Sequence, residues 1–136
     1  MSTNMFMLEL QSNPRNINVI ESYVDRVVEK FTDINEDMYG NILISLTEAV
    51  NNAIIHGNKA DESKKVRVNL EKSDNKISFK ITDEGPGFDY DELPDPTAPE
   101  NILKLGGRGV FLMKQLSDTV NFHDNGSTVE LRFSLT

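Results

Sequence analysis

Residues 66–87 read VRVNLEKSDNKISFKITDEGPG, and this stretch decides the fold. Apolar and polar side chains alternate on both sides of Ser73-Asp74-Asn75, as they do in two strands joined by a hairpin turn. Because such strands bury only one face, a single layer of helices is enough to cover the sheet that they build. The stretch therefore predicts an antiparallel hairpin inside a two-layer α+β domain.

Three further segments alternate in the same way, one before the hairpin and two near the carboxyl end of the chain. Asp124-Asn125-Gly126 separates the last two and predicts a second hairpin turn. We expect five strands, forming a mixed and mostly antiparallel sheet. The apolar positions of the three further strands are Phe6, Leu8 and Leu10, then Val120 and Phe122, then Val129, Leu131, Phe133 and Leu135.

Three stretches with helical spacing fill the gaps between the strands. The first carries apolar residues from Ile20 to Phe31, the second runs from Glu36 to His56, and the third begins near Gly109. Gly57-Asn58 is the stop signal of the second helix. With 136 residues, no repeat and no linker, the chain is expected to form one domain over residues 1–136, with the three helices on one face of the sheet.

The composition limits the classes of partner and the cellular compartment that we expect. The formal net charge is −8, from 22 acidic against 14 basic residues, which argues against a nucleic-acid partner that needs a basic face. The absence of cysteine excludes disulfides and thiolate zinc sites and fits a cytoplasmic protein. No apolar stretch approaches the roughly 20 residues that cross a bilayer. We therefore expect no membrane association, and the amino end shows no secretory signal.

The polar side of the second helix holds the first candidate site. Glu48 and Asn52 lie one turn apart, on the same side as Asn41 and Ser45 and opposite the apolar stripe. A carboxylate beside an amide oxygen suits Mg²⁺, and with a neutral asparagine as the metal ligand the carboxylate stays free as a base. A solvated helix face is the plain alternative for this pattern.

Asp83 is the second candidate. It continues the parity of the buried positions Ile77, Phe79 and Ile81, so its carboxylate is predicted to point inward at the end of the strand. An inward carboxylate needs a hydrogen-bond donor, and the amino group of adenine is a suitable one, whereas guanine has a carbonyl there. The alternative is an aspartate that caps the turn at residues 84–87.

Two glycine clusters could lie against a nucleotide. Gly85 and Gly87 follow the third strand, where the backbone must bend and can approach a flat base. Gly107 and Gly109 stand at the start of the third helix, where free N–H groups and the helix dipole favour an anion, and Arg108 adds a positive charge. Glycines that merely break regular structure are the alternative in both places.

A long irregular segment separates the two clusters. Residues 84–107 show no apolar period and contain four prolines. A loop longer than about 15 residues inside a small domain is usually functional or disordered. A lid over a ligand and a solvated loop are both consistent with this composition.

The order of these motifs resembles a known family. EAVNNAIIHG (48–57), DEGPGF (83–88) and GGRGV (106–110) are similar to the three nucleotide-binding boxes of the GHKL, or Bergerat-fold, ATPases. Within that superfamily the chain most resembles the small anti-sigma-factor serine kinases, over nearly its whole length. The resemblance implies a Bergerat fold that binds ATP and Mg²⁺, with residues 88–105 as the ATP lid.

The resemblance also implies a role for individual residues. Glu48 matches the family's catalytic base, Asn52 its magnesium-binding asparagine, and Asp83 the aspartate that accepts the adenine amino group. Ser127 takes the place of a usual threonine beside the adenine site, and it points inward by the parity of the last strand. The remaining ATP-binding positions match the two glycine boxes and are Gly85, Gly87, Gly107, Arg108, Gly109 and Val110.

Serine protein phosphorylation is the activity that the resemblance implies. The chain would phosphorylate an anti-anti-sigma partner and sequester a sigma factor, as a cytoplasmic homodimer that regulates transcription. One departure is Leu105, which stands where the small kinases often carry an arginine, while Arg108 lies inside the box. Two alternatives stay open: an ATP-gated binding switch without phosphotransfer, and a stand-alone ATPase domain of histidine-kinase type whose partner supplies the phosphoacceptor histidine.

Overall fold

The computed structural model describes residues 6–85 and 107–135, which form five strands and three α-helices in the predicted order. Within these residues, every helix is too short or too polar to cross a membrane. The elements are β1 Leu8–Gln11, α1 Asn18–Lys30, α2 Glu36–Asn52, β2 Lys65–Lys72, β3 Lys76–Thr82, α3 Gly107–Leu116, β4 Thr119–His123 and β5 Thr128–Ser134.

The sheet has the strand order β1-β2-β3-β5-β4, and each neighbouring pair in the described part of the chain is antiparallel. The chain leaves β3, passes through α3 to β4 at the edge, and returns as β5 between the two. β3 and β4 therefore run in the same direction but are separated by β5, so the expected mixed sheet is antiparallel throughout these residues. The pairing of Thr82 with Thr128 brings the end of β3 beside the turn that precedes β5.

Strand alternation buries one face of the sheet, as predicted. Ile77, Phe79 and Ile81 of β3 are almost wholly inaccessible to solvent, and α2 packs against both β3 and β5. Tyr23 of α1 meets Phe79 edge-on, with ring centroids 6.4 Å apart, and its hydroxyl donates to the carbonyl of Phe6. The two-layer α+β architecture is confirmed.

The end of α2 differs from the prediction. Its α-helical part covers Glu36–Asn52, and a π-helical turn at Ala53–Gly57 follows before the chain leaves the helix at Asn58. There the N–H of Asn58 donates to the carbonyl of Ala53, five residues earlier, at 2.8 Å. A π turn is wider than an α turn and displaces the side chains that follow it around the helix axis. A prediction from helical spacing assumes a constant 3.6-residue period and cannot register such a local change.

Candidate functional site

The polar side of α2 lies against the start of α3. A Cβ added to Gly109, in the first turn of α3, would lie 2.9 Å from Asn52 Nδ2 and 3.2 Å from Glu48 Oε2. The next residue, Val110, is buried. The first four N–H groups of a helix have no partner within that helix and attract anions. The structure therefore brings the predicted pair Glu48 and Asn52 together with the predicted glycine box.

A wholly solvated face, the alternative for this side of α2, does not hold at Ser45. Ser45 is fully buried, and its Oγ has no hydrogen-bond partner among the described residues. α3 packs along α2. Glu48 and Asn52 are only partly buried. The covered middle of the helix thus leads to a more open end, where these two side chains lie.

Asp83 follows β3 directly and faces the end of the π-helical turn. A Cβ on Gly57 would lie 2.5 Å from Asp83 Cγ and 2.8 Å from its Oδ1. A Cβ on Gly85 would lie 2.6 Å from the carbonyl carbon of Gly57. Gly57 and Gly85 are therefore close-approach positions, where the missing side chains let the helix end and the strand end touch. The contact holds the Asp83 carboxylate in place.

The Asp83 carboxylate is partly removed from water. Burial raises the pKa of Asp83 above its usual range, while the hydrogen bond from the Gly85 N–H, at 2.7 Å, and the charge of Lys64 act in the opposite direction. The bond from Gly85 is the part of the turn-capping alternative that lies within the described residues. It does not compete with a ligand, because an ionised carboxylate has about four acceptor positions and the Gly85 N–H occupies one.

Ser127 lies beside Asp83 through its backbone. Its carbonyl accepts the N–H of Asp83 at 2.9 Å, whereas its hydroxyl donates to the carbonyl of Asp124 at 2.9 Å. Its φ of −76° and ψ of −12° are helical, and β5 begins only at Thr128. The strand parity that predicted an inward Ser127 side chain therefore does not apply, and a contact of that side chain with adenine stays a prediction.

Only some of the other predicted site residues belong to the described part of the chain. Gly107 and Arg108 occupy the first two positions of α3. Gly87 and the predicted lid at 88–105 lie outside the described residues. The phosphate and lid contacts assigned to these positions stay predictions.

The sequence does not predict the contacts of two residues in this region. Gly57 and Asn58 are predicted as a helix stop, and Gly57 also ends the first nucleotide-binding box. Neither prediction includes the contact of Gly57 with Asp83 or the full burial of Asn58. A glycine next to an asparagine signals a chain reversal whether or not anything packs against it. The sequence holds no further signal for these two contacts.

Gly57→Ala should weaken ATP binding by at least about fivefold, since overpacking of this kind typically costs about 1–3 kcal/mol. The added Cβ must displace the Asp83 carboxylate or separate the helix end from the strand end. Isothermal titration calorimetry measures the change. Gly40→Ala is the matched control: Gly40 lies in α2, and a Cβ there meets no atom within 4 Å apart from its chain neighbours and the nearby backbone of its own helix. It should retain the parental affinity, and parental affinity in Gly57→Ala would contradict this account.

Several known proteins are similar to this chain in sequence or fold. The family of histidine kinase-like ATPase domains matches residues 10–133. The chain is 28% identical over 133 residues to the serine-protein kinase RsbW of Bacillus licheniformis, covering 91% of this chain and 82% of that protein. It is 34% identical over 96 residues to RsbW of Staphylococcus epidermidis, covering 65% of this chain and 60% of that protein. It is 26% identical over 96 residues to RsbW of Listeria innocua, covering 65% of this chain and 61% of that protein.

The chain thus spans about six tenths of the length of the last two relatives. A solved histidine kinase domain, from the blue-light activated histidine kinase EL346 of Erythrobacter litoralis, superposes with a TM-score of 0.52. It is 19% identical and covers 85% of this chain and 61% of the other, which supports the fold alone. Because the family match extends from β1 to β5, this chain belongs to the family of histidine kinase-like ATPase domains.

Proposed function

We propose that this chain is an ATP-dependent serine protein kinase of the anti-sigma-factor type. The observation that carries the proposal is the meeting of Glu48, Asn52 and Gly109 at the start of α3, where a base, an amide ligand and helix N–H groups converge. Membership of an ATPase-domain family implies that ATP is the nucleotide. Relatives named serine-protein kinase support a serine as the acceptor.

The proposed reaction transfers the γ-phosphoryl group of ATP to a serine hydroxyl of a partner protein. The serine oxygen bonds to the γ-phosphorus, the bond from that phosphorus to the β–γ bridging oxygen breaks, and ADP leaves. Glu48 accepts the hydroxyl proton as the general base. The products are ADP and phosphoserine, so this chain is returned unchanged once Glu48 releases its proton to water.

A magnesium ion fits the groups near Asn52. The amide supplies one neutral oxygen, and Gly109 leaves room beside it, since a Cβ there would lie 3.2 Å from Asn52 Oδ1. Across residues 6–85 and 107–135, no three histidine, aspartate or glutamate side chains form a metal-binding group. The ion would therefore take its other ligands from the nucleotide phosphates and water. When bound, Mg²⁺ neutralises charge on the transferred phosphoryl group.

Asp83 is assigned to the adenine end of the same nucleotide. Gly57, which abuts Asp83, follows Asn52 by one π-helical turn. Five residues rise at most about 7.5 Å, the value for an α-helix, so one elongated ligand can reach both ends. We assign the remaining contacts as follows: base at Gly85, Gly87 and Ser127, phosphates at Gly107, Arg108, Gly109 and Val110, and lid at 88–105.

The partners in this proposal are an anti-anti-sigma protein, which carries the serine, and a sigma factor, which this chain sequesters. They follow from the resemblance to the anti-sigma kinases, as do a homodimer and a cytoplasmic location. A net charge of −8 is unsuited to direct contact with nucleic acid. Transcription would then be controlled through protein partners.

A labelling experiment tests the activity. A pull-down from native lysate with and without ATP identifies the partner, and the purified pair is then incubated with γ-labelled ATP. Label on a partner serine is the expected result. An ATP-dependent complex without label would favour the binding switch, and label on a partner histidine would favour the histidine-kinase type.

The preference for adenine should depend on pH. Asp83 accepts the adenine amino group most strongly when ionised, and burial raises the pKa of this carboxyl. The preference should therefore be full at high pH and decline as the pH falls through that raised pKa. The measured quantity is the affinity ratio of ATP to purine riboside triphosphate, which lacks the 6-amino group and whose triphosphate titrates like that of ATP. Asp83→Asn should give a smaller ratio without this pH dependence, and a pH-independent ratio in the parent would contradict the assignment.

A further inference from the structure

We infer that Asn58 is a positioning residue of the adenine site, because it holds the turn that carries Asp83. The inference rests on the proposed function, since it takes Asp83 to be the residue that meets adenine. Asn58 follows the π-helical turn of α2, and its side chain is fully buried. A buried amide needs a partner for each polar atom, so its bonds report what it holds together.

The amide of Asn58 joins three parts of the chain. Its Oδ1 accepts the N–H of Glu84 at 2.8 Å, and its Nδ2 donates to Ser12 Oγ at 2.8 Å and to the Lys65 carbonyl at 3.1 Å. The Glu84 N–H can only donate and the Lys65 carbonyl can only accept, so one orientation of the amide satisfies both. Asn58 therefore ties the turn after β3 to the residue after β1 and to the first residue of β2.

Glu84 is held a second time through its side chain. Its Oε2 accepts the N–H of Lys65 at 2.5 Å. Glu84 stands between Asp83, whose Oδ1 accepts the Gly85 N–H, and Gly85, which abuts Gly57. Two tethers on the middle residue of this turn thus determine where its neighbours lie. The direction of the Asp83 carboxylate depends on them.

Other side chains at position 58 cannot make this set of bonds. Aspartate would place a charge in a fully buried site and would repel the Lys65 carbonyl, to which Asn58 now donates. Alanine would leave the Glu84 N–H and that carbonyl without their present partners. A turn released in this way is expected to move, and the Asp83 carboxylate with it.

A thermodynamic cycle between protein and nucleotide tests the inference. The parent chain and Asn58→Ala are titrated by calorimetry with ATP and with purine riboside triphosphate, both with Mg²⁺. If Asn58 acts through Asp83, the variant should lose about tenfold in affinity for ATP and less than about twofold for the nucleotide that lacks the amino group. Equal losses for both nucleotides would mean a merely structural role and would overturn the inference.

Glu84→Ala is a second variant that tests the same inference if Asn58→Ala does not fold. The Glu84 side chain is exposed, so the fold should tolerate its removal. Loss of the tether to Lys65 should lower the preference for ATP over purine riboside triphosphate by about threefold. An unchanged preference in Glu84→Ala would overturn the inference.

Asn35→Ala is the matched control for a lost asparagine bond. Asn35 caps the other end of α2, where its Oδ1 accepts the Met38 N–H at 2.9 Å. The control should lower the melting temperature and keep the parental preference. A parent chain that binds no ATP would overturn both the proposed function and this inference. Parental preference retained by Asn58→Ala would overturn the inference alone.

Discussion

Glu48→Gln should lower phosphoryl transfer to the partner serine by about 10²–10⁴-fold and leave ATP affinity within about twofold. The exchange preserves the size of the side chain and one acceptor oxygen but removes the group that takes the proton. Glu48 lies beside Gly109, at the phosphate end of the proposed site and away from Asp83. Single-turnover transfer from γ-labelled ATP measures the rate, and calorimetry measures the affinity.

Glu36→Gln is the control for the change of charge. Glu36 lies in the exposed first turn of the same helix, so its exchange removes one negative charge far from the site. It should transfer phosphate at the parental rate. A parental rate in Glu48→Gln would show that another group, or none, takes the proton. Equal losses of rate and affinity would assign Glu48 to the ion instead.

Asn52→Ala should abolish magnesium-dependent ATP binding and, with it, phosphotransfer. Loss of an outer-shell partner of a metal alone typically costs about 10–100-fold, so loss of a direct ligand should cost at least about a hundredfold. Asn52 is only partly buried, so the fold should survive the truncation. Calorimetry with ATP, in magnesium and in EDTA, measures the effect, and the variant in magnesium should resemble the parent in EDTA.

Asn51→Ala makes the same chemical change one position earlier, about 100° around the helix. It should bind ATP as the parent does. Parental affinity in Asn52→Ala would remove the metal assignment. A circular-dichroism melt of each variant separates loss of binding from loss of fold.

Strand alternation predicts most of the sheet because the side-chain period of a strand is two and each strand here buries one face. The same parity carries Asp83 to its place, since β3 stays regular to Thr82 and pairs Thr82 with Thr128. It does not extend to Ser127, where the backbone has turned helical. Parity therefore fails at Ser127 because the backbone there has left the extended conformation.

The order of the strands in the sheet cannot be predicted from the alternation of apolar and polar residues. β5 lies between β3 and β4, and no local pattern distinguishes this arrangement from a β4 that pairs with β3. The arrangement is accompanied by contacts between distant parts of the chain, among them the packing of α3 on α2. The periodicity of apolar residues describes a single helix or strand and does not indicate which strands pair.

The least predictable parts of the site are the contacts between element ends. Gly57 and Asp83 are 26 positions apart and meet without any periodic signal. Asn58 belongs to a residue type that is mostly exposed, yet it is fully buried because backbone groups of two other segments complete its hydrogen bonds. The motifs name the residues that could touch a nucleotide, and the structure adds the residues that hold them.

Calorimetric titration of the parent chain with ATP and with GTP, each in excess magnesium, tests the central claim most directly. That claim is that a carboxylate at the end of β3 selects adenine while the α2–α3 junction receives the phosphates. The account predicts saturable binding of ATP and at least about tenfold weaker binding of GTP. No binding of ATP, or equal affinity for the two nucleotides, would contradict it.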